Sequence, residues 1–179
     1  MENKNYMYLA QSLDGFIADK DGGLEWLDMI PNPDQIDMGF VAFIDKIDAI
    51  IMGRNTFEKV LSFGIDWPYT VPVLVVSQNL KKVPEAYEGK VEIISGAPKE
   101  LIKIAKGKGY HKLYIDGGKT VQTFLNEDLI DEITLTTMPI ILGAGIPLFG
   151  TLNHQLKYKH FKTEVFLDEL VQTTYHRIR

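Results

Sequence analysis

The chain has 179 residues, 45% hydrophobic and 24% charged, a length and balance that suit one domain over residues 1–179 with a sizeable buried core. Nineteen Lys and Arg against 24 Asp and Glu give a formal charge of −5, and no basic block is long enough to follow a phosphate backbone, which argues against nucleic acid as a partner. Cysteine is absent, so disulfides, thiolate metal sites and cysteine nucleophiles are excluded, and a reducing cytoplasm suits the chain. The polar start Met1-Glu2-Asn3-Lys4-Asn5 precedes no apolar core of a leader, and no run approaches the roughly 18 apolar residues of a membrane span. A soluble, unprocessed protein with no membrane partner is expected.

In chain order, short runs rich in β-branched and aromatic residues at 6–10, 49–52, 73–76, 91–94, 113–115 and 133–135 read as buried strands. Between the first two, apolar Ile36, Phe40, Phe43, Ile44 and Ile47 follow helical spacing, and Pro33 suits a first helical turn, so a helix is expected over 33–47. Shorter helices are expected at 56–61, 98–106 and 120–125. Strands alternating with helices imply an α/β three-layer sandwich with a mostly parallel central sheet. The tail differs: runs 157–166 and 170–179, separated by Leu167-Asp168-Glu169, read as a closing antiparallel hairpin.

Four stretches carry residues suited to chemistry. Ile50-Ile51-Met52-Gly53-Arg54-Asn55-Thr56 is a strand running through a glycine into a helix, where free N–H groups, the helix dipole and the Arg54 fork suit an anion. The same residues also make an ordinary strand-to-helix turn with a solvated arginine. Leu113-Tyr114-Ile115-Asp116-Gly117-Gly118-Lys119-Thr120 repeats the pattern with two glycines. Two such junctions in one sheet put two helix starts at strand carboxyl ends, where open sheets bind phosphate-bearing ligands, and a dinucleotide pyrophosphate would account for both.

Asp37, beside Phe40, Val41 and Ile44 on the expected helix, reads either as a desolvated carboxyl with a raised pKa suited to proton transfer or as a helix-dipole partner. The fourth stretch, Met138 to Phe149, is an apolar loop with Gly and Pro that either walls a flat-ring pocket or turns a corner. The histidines His111, His154, His160 and His176 lack ligand spacing, so no metal site is expected, and no nucleophile elbow is present.

With these residues in view, the chain resembles the dihydrofolate reductase-like superfamily, and more closely its riboflavin-biosynthesis branch, the pyrimidine reductase of the RibD C-terminal domain. Leu9-Ala10-Gln11-Ser12-Leu13-Asp14-Gly15-Phe16-Ile17-Ala18 is similar to the family's first strand and following loop, and Met52-Gly53-Arg54-Asn55-Thr56 to its first phosphate turn. Val75-Val76-Ser77 resembles the strand that receives the adenosine ribose, and Asp116-Gly117-Gly118 the paired-glycine pyrophosphate turn. Leu129 to Thr136 and Pro139 to Phe149 complete five motifs in order. The resemblance departs at Tyr69-Thr70-Val71-Pro72-Val73, where folate enzymes carry a substrate-gripping arginine and this chain has no cation.

The resemblance implies an NADPH-dependent reductase that transfers hydride to a planar heterocyclic small molecule, of the 5-amino-6-(5-phosphoribosylamino)uracil reductase type, in a homodimer. Gly53, Arg54, Thr56, Gly117, Gly118 and Thr120 are expected at the phosphates, Ser77 on the adenosine side, and Ala10 and Ile17 against the nicotinamide. Asp37, 16 residues before Gly53, is expected to serve substrate and proton, held by a hydrogen bond to Thr136. Arg54 and Ser77, with Lys81 and Lys82 beyond, lead to a preference for NADPH over NADH. The alternatives are a true dihydrofolate reductase and a non-catalytic nucleotide-binding or sensor domain.

Overall fold

Aliphatic and β-branched runs with no polar alternation cannot face water on either side, so their strands take the middle of a sheet covered by helices. A computed structural model, which describes residues 3–179, shows this arrangement. The strands are β1 (Lys4–Gln11), β2 (Phe16–Ala18), β3 (Ala49–Gly53), β4 (Val73–Val76), β5 (Val91–Ile94), β6 (Lys112–Asp116), β7 (Glu132–Thr137), β8 (Ile146–Pro147), β9 (Lys157–Phe166) and β10 (Leu170–Ile178). The helices are α1 (Phe40–Ile44), α2 (Arg54–Ser62), α3 (Pro98–Gly107) and α4 (Gly118–Asn126). Eight strands form one sheet in the order β5-β4-β3-β6-β1-β7-β10-β9, parallel from β5 through β7 and antiparallel where β10 joins β7 and β9.

Successive side chains of each central strand point to opposite faces, and each face has its own helices. Met7, Ile51, Leu113 and Ile115 pack with Leu101 and Ala105 of α3 and with Val121, Phe124 and Leu125 of α4. Tyr6, Ile50, Met52 and Tyr114 pack with Phe43 and Ile44 of α1 and Phe57 of α2. The three-layer sandwich is therefore the expected one. The hairpin also matches, with Phe166 opposite Leu170 and Leu167-Asp168-Glu169 forming the turn. Leu167 and Asp168 both have positive φ, 52° and 60°. Lys162 faces Thr174 and His160 faces Tyr175, so Phe161 is an extra residue that bulges from the edge strand.

The expected helix over 33–47 is corrected: only Phe40–Ile44 is helical. Asn32 takes the Ile36 N–H at 2.8 Å and donates to the Ile36 carbonyl at 2.9 Å, closing a local loop in place of the first turns. Gln35, Met38 and Gly39 then have φ of 51°, 55° and 86°, which no right-handed helix accommodates. Asp37 lies before the helix and caps it, accepting N–H bonds from Gly39 at 3.0 Å and Val41 at 2.9 Å.

A second small sheet was not expected. β2 pairs with β8 through Phe16 with Pro147 and Ala18 with Ile146. Asp14 reinforces the join, taking the Ser12 hydroxyl at 2.6 Å and the N–H groups of Leu142 and Gly143 at 3.1 and 2.8 Å. The apolar loop 138–149 thus anchors the segment that carries Ile17.

On the α1 side of β7, buried Glu132 accepts from Lys4 at 2.8 Å and Lys46 at 2.9 Å, with His176 Nε2 at 3.3 Å. Burial pushes this carboxyl up, but the two lysines outweigh it and hold it below its ordinary value of 4.5. A depressed folded-state value favours the ionised form, so its stabilisation is present above the ordinary value and is lost as pH falls through the lower one. Glu132→Gln is expected to lower stability at pH 7 by about 1–3 kcal/mol. Chemical denaturation from pH 7 to 3 checks this: the wild-type advantage shrinks toward pH 3, and a pH-independent difference would contradict it.

Candidate functional site

Neighbouring parallel strands end on the same side of a sheet, so β3 and β6 deliver their following helices side by side. Gly53 joins β3 to α2, and Gly117 joins β6 to α4. The two turns interlock. A Cβ on Gly53 would lie 2.9 Å from Thr120 Oγ1 of α4, and a Cβ on Gly117 would strike Thr56 Oγ1 of α2. Gly117 also has φ of 87°, a conformation that L side chains resist.

Neither α2 nor α4 has a side-chain cap or an acidic residue in its first turn. Elsewhere Asp37 caps α1, and Glu100 of α3 reaches back to the Ala97 N–H at 2.8 Å. The two helix starts left open are the two that meet, and together they offer unpaired N–H donors and a positive dipole end to an anion.

They open into a cleft of about 560 Å³. Five expected site residues line it together: Ala10 from β1, Ile17 from β2, Thr56 from α2, and Gly117 and Gly118. Gly53 and Thr120 sit behind them as the packing partners just described. Gly118 is held by protein as well, since a Cβ there would strike Ile17 Cδ1. The paired glycines are therefore needed first for the approach of Thr56 and Ile17.

The other expected residues lie outside the cleft lining. Arg54 is exposed, with Nε 3.6 Å from Glu58 Oε1 one turn along α2. Ser77 Oγ accepts the N–H groups of Asn79 at 3.2 Å and Leu80 at 2.9 Å, closing the turn after β4.

Asp37 is corrected on two counts. It is exposed, and the Val41 and Gly39 N–H groups hold its carboxyl below the ordinary value, the opposite of the desolvated acid expected. Nor does it meet Thr136, whose buried Oγ1 accepts from Gln172 Nε2 at 3.1 Å.

The buried acid of the cleft is Asp116, the last residue of β6. Burial pushes its carboxyl up to about 6, against Tyr114 and the Gly117 N–H, which it accepts at 2.8 Å. Burial first, then the Asp116 charge, raises the phenols of Tyr69 and Tyr114. Tyr114 donates to the Tyr8 carbonyl at 2.8 Å, while the Tyr8 hydroxyl donates to the Met38 carbonyl at 2.7 Å and accepts from Gln172 at 2.9 Å. Lys59, on the α2 wall, also went unnoticed in the sequence. A carboxylate ending an otherwise apolar strand was the available signal for Asp116, and a lysine three residues after Thr56 was the signal for Lys59.

An open α/β sheet with two uncapped helix starts side by side at its carboxyl edge puts the cleft where sheets of this kind take their ligands. Residues 6–171 match the model of the RibD C-terminal domain family, and the chain belongs to that family. It is similar to a Shewanella sp. PV-4 protein assigned by name to riboflavin biosynthesis, with 52% identity, 98% and 99% of the two chains covered and a TM-score of 0.95. The Thermotoga maritima diaminohydroxyphosphoribosylaminopyrimidine deaminase/5-amino-6-(5-phosphoribosylamino)uracil reductase is 16% identical, with a TM-score of 0.76 over 99% of this chain and 57% of that one. The Enterococcus faecalis dihydrofolate reductase is 19% identical, with a TM-score of 0.67 over 97% and 96%. The last two likenesses show the fold.

Two outcomes follow from this geometry. Gly117→Ala is expected to cost about 1–3 kcal/mol through its positive φ and the Thr56 contact. Adding Thr56→Ala should recover the contact share, whereas strictly additive losses in thermal melts would contradict the interlock. Asp116 has a folded-state value above its ordinary 3.8, so the stability of its neutral form is full below 3.8 and is lost as pH rises through about 6. Asp116→Asn should remove that decline in a pH series of melting temperatures and raise the melting temperature above pH 6.

Proposed function

We propose that the chain, acting as one reductase domain, is an NADPH-dependent oxidoreductase whose acceptor is a planar heterocycle of the 5-amino-6-(5-phosphoribosylamino)uracil type. The observation that carries this reading is the meeting of two uncapped helix starts, interlocked through Gly53, Thr56, Gly117 and Thr120, beside a cleft with a buried acid in its floor. Membership of the RibD C-terminal domain family supports it.

The residues present fit the cofactor. The first-turn N–H groups of α2 and α4, that of Thr120 included, with the Thr56 hydroxyl, would hold its phosphates. Ala10 and Ile17 give a flat apolar border for the nicotinamide, Gly118 lets Ile17 approach, and Asp14 holds the Ile17 segment against loop 138–149. Arg54 and Ser77 lie outside the lining and would serve the adenosine end. NADPH, when bound, supplies the hydride.

Asp116 takes the role that the sequence suggested for Asp37. It is buried and lines the cleft, and a carboxyl at about 6 keeps a share of neutral acid near neutrality. In that form it holds a proton at Oδ for the acceptor, and in the ionised form it accepts a ring N–H. Leu24 and Leu27 add apolar surface to the lining and limit water. The homodimer and the cytoplasmic setting belong to this reading, and light scattering of the purified protein checks the first.

NADPH oxidation with 5-amino-6-(5-phosphoribosylamino)uracil tests the activity, and calorimetric titration of NADPH and NADH tests the cofactor. NADPH is expected to bind more tightly, with Arg54→Ala narrowing the gap; equal affinities in the wild type would contradict the preference. Binding of NADPH without turnover of any pyrimidine or pterin acceptor would favour the nucleotide-binding alternative. Asp116→Asn is expected to lower turnover by roughly 10²–10⁴-fold with NADPH affinity nearly unchanged. Its pH profile should lose the fall in rate that the wild type shows as pH rises through about 6.

A further inference from the structure

On the assumption that the cleft is the reductase site just described, we propose that Lys59 binds an anionic group of the substrate, a phosphate or carboxylate, in the outer half of the cleft beyond the reach of the cofactor's phosphates. Thr56, Lys59, Val60 and Phe63 all line the cleft, at the i, i+3, i+4 and i+7 spacing of one helical stripe. Only the start of that stripe belongs to the uncapped end of α2. At 1.5 Å per residue, Phe63 lies about 10 Å further along the axis than Thr56, more than the width of one ring. The cleft therefore continues past the phosphate end for a length that a substrate substituent would fill.

The lining here is largely apolar, with Val60 of α2, Phe63 just after it, and Leu24 and Leu27. Lys59 is half-buried among them, and no carboxylate of the described residues lies within ion-pair distance of its ammonium. The Phe63 ring centroid is 6.0 Å from Nζ. The acid that shares its field is Asp19, whose carboxylate already accepts the N–H groups of Asp21 at 2.8 Å and Gly23 at 2.7 Å. Asp21 also lines the cleft and forms no ion pair with Lys59. The remaining cation of the lining, Lys119, is exposed in the first turn of α4, at the phosphate end.

A lysine held partly out of water with three unused donors loses hydration that only an anion restores fully. Asp116 at the inner end and Lys59 toward the mouth give the cleft opposite charges along its length. A ring with N–H donors carrying an anionic tail matches that order.

The test is calorimetric titration of the NADP⁺-saturated protein with ribose 5-phosphate, ribose and benzoate, using wild type, Lys59→Gln and Lys59→Arg. Ribose 5-phosphate or benzoate should bind the wild type saturably, ribose should not, and the stronger of the two anions identifies the group. Lys59→Gln should weaken that anion on the order of tenfold, Lys59→Arg should retain it, and NADPH affinity should be the same in all three. Equal anion affinity in wild type and Lys59→Gln, or no saturable anion binding by the wild type, overturns the proposal. A matching loss of NADPH affinity in Lys59→Gln also overturns it, by assigning the lysine to the cofactor. If NADP⁺ fails to bind at all, the reductase reading falls, and the same anion titrations on the free protein still decide the role of Lys59.

Discussion

The crossed contact between two glycine turns and two threonines governs the rest of the site. Gly53 admits Thr120 and Gly117 admits Thr56, so α2 and α4 start within van der Waals reach of each other although they cover opposite faces of the sheet. Side chains at either glycine would push the helix ends apart. Their closeness concentrates two sets of unpaired N–H groups at one point, where two partial positive charges add. No acidic side chain of either first turn neutralises them. That arrangement favours an anion at the point where the two starts meet.

The polarity of the cleft follows from the same strand ends. Past exposed Lys112, β6 is buried on both faces through its last residue, and that residue is a carboxylate. Placed there, Asp116 is buried at the base of the cleft, and its oxygen accepts the Gly117 N–H that begins the paired-glycine turn. The acid and the paired-glycine turn are thus adjacent residues of one strand-to-helix junction. Tyr114, two residues earlier on the same strand face, and Tyr69 surround the carboxyl with phenols that burial keeps neutral. The result is a low-dielectric floor in which one proton can be held in place.

Much of this was legible in the sequence because it depended on local rules. Unbroken apolar runs gave the parallel strands, and the two strand-glycine-helix junctions gave the helix ends that meet. Three residues between two alternating runs gave the hairpin. The region 33–39 misled because the spacing of Ile36, Phe40 and Phe43 fits a helix, while the Asn32 side chain and the positive φ of Met38 and Gly39 hold the chain in turns. Asp37 consequently changes from a candidate acid to a cap. The β2–β8 pair was invisible because three-residue and two-residue strands carry no period, and the Asp14 contacts that support it span 128 and 129 positions. Asp116 stands at the head of the paired-glycine motif, yet its raised carboxyl comes from burial at the end of β6, which the linear sequence does not show.

The central claim is that the interlocked starts of α2 and α4 bind the phosphates of NADPH. Backbone amide chemical shifts of the isotope-labelled protein, recorded as NADP⁺ is added, test it most directly. The account predicts saturable shifts largest at the amides of residues 54–56 and 118–120, with Ala10 and Ile17 moving in the same titration. Saturation with these amides unmoved, and shifts confined to another face of the sheet, would contradict it.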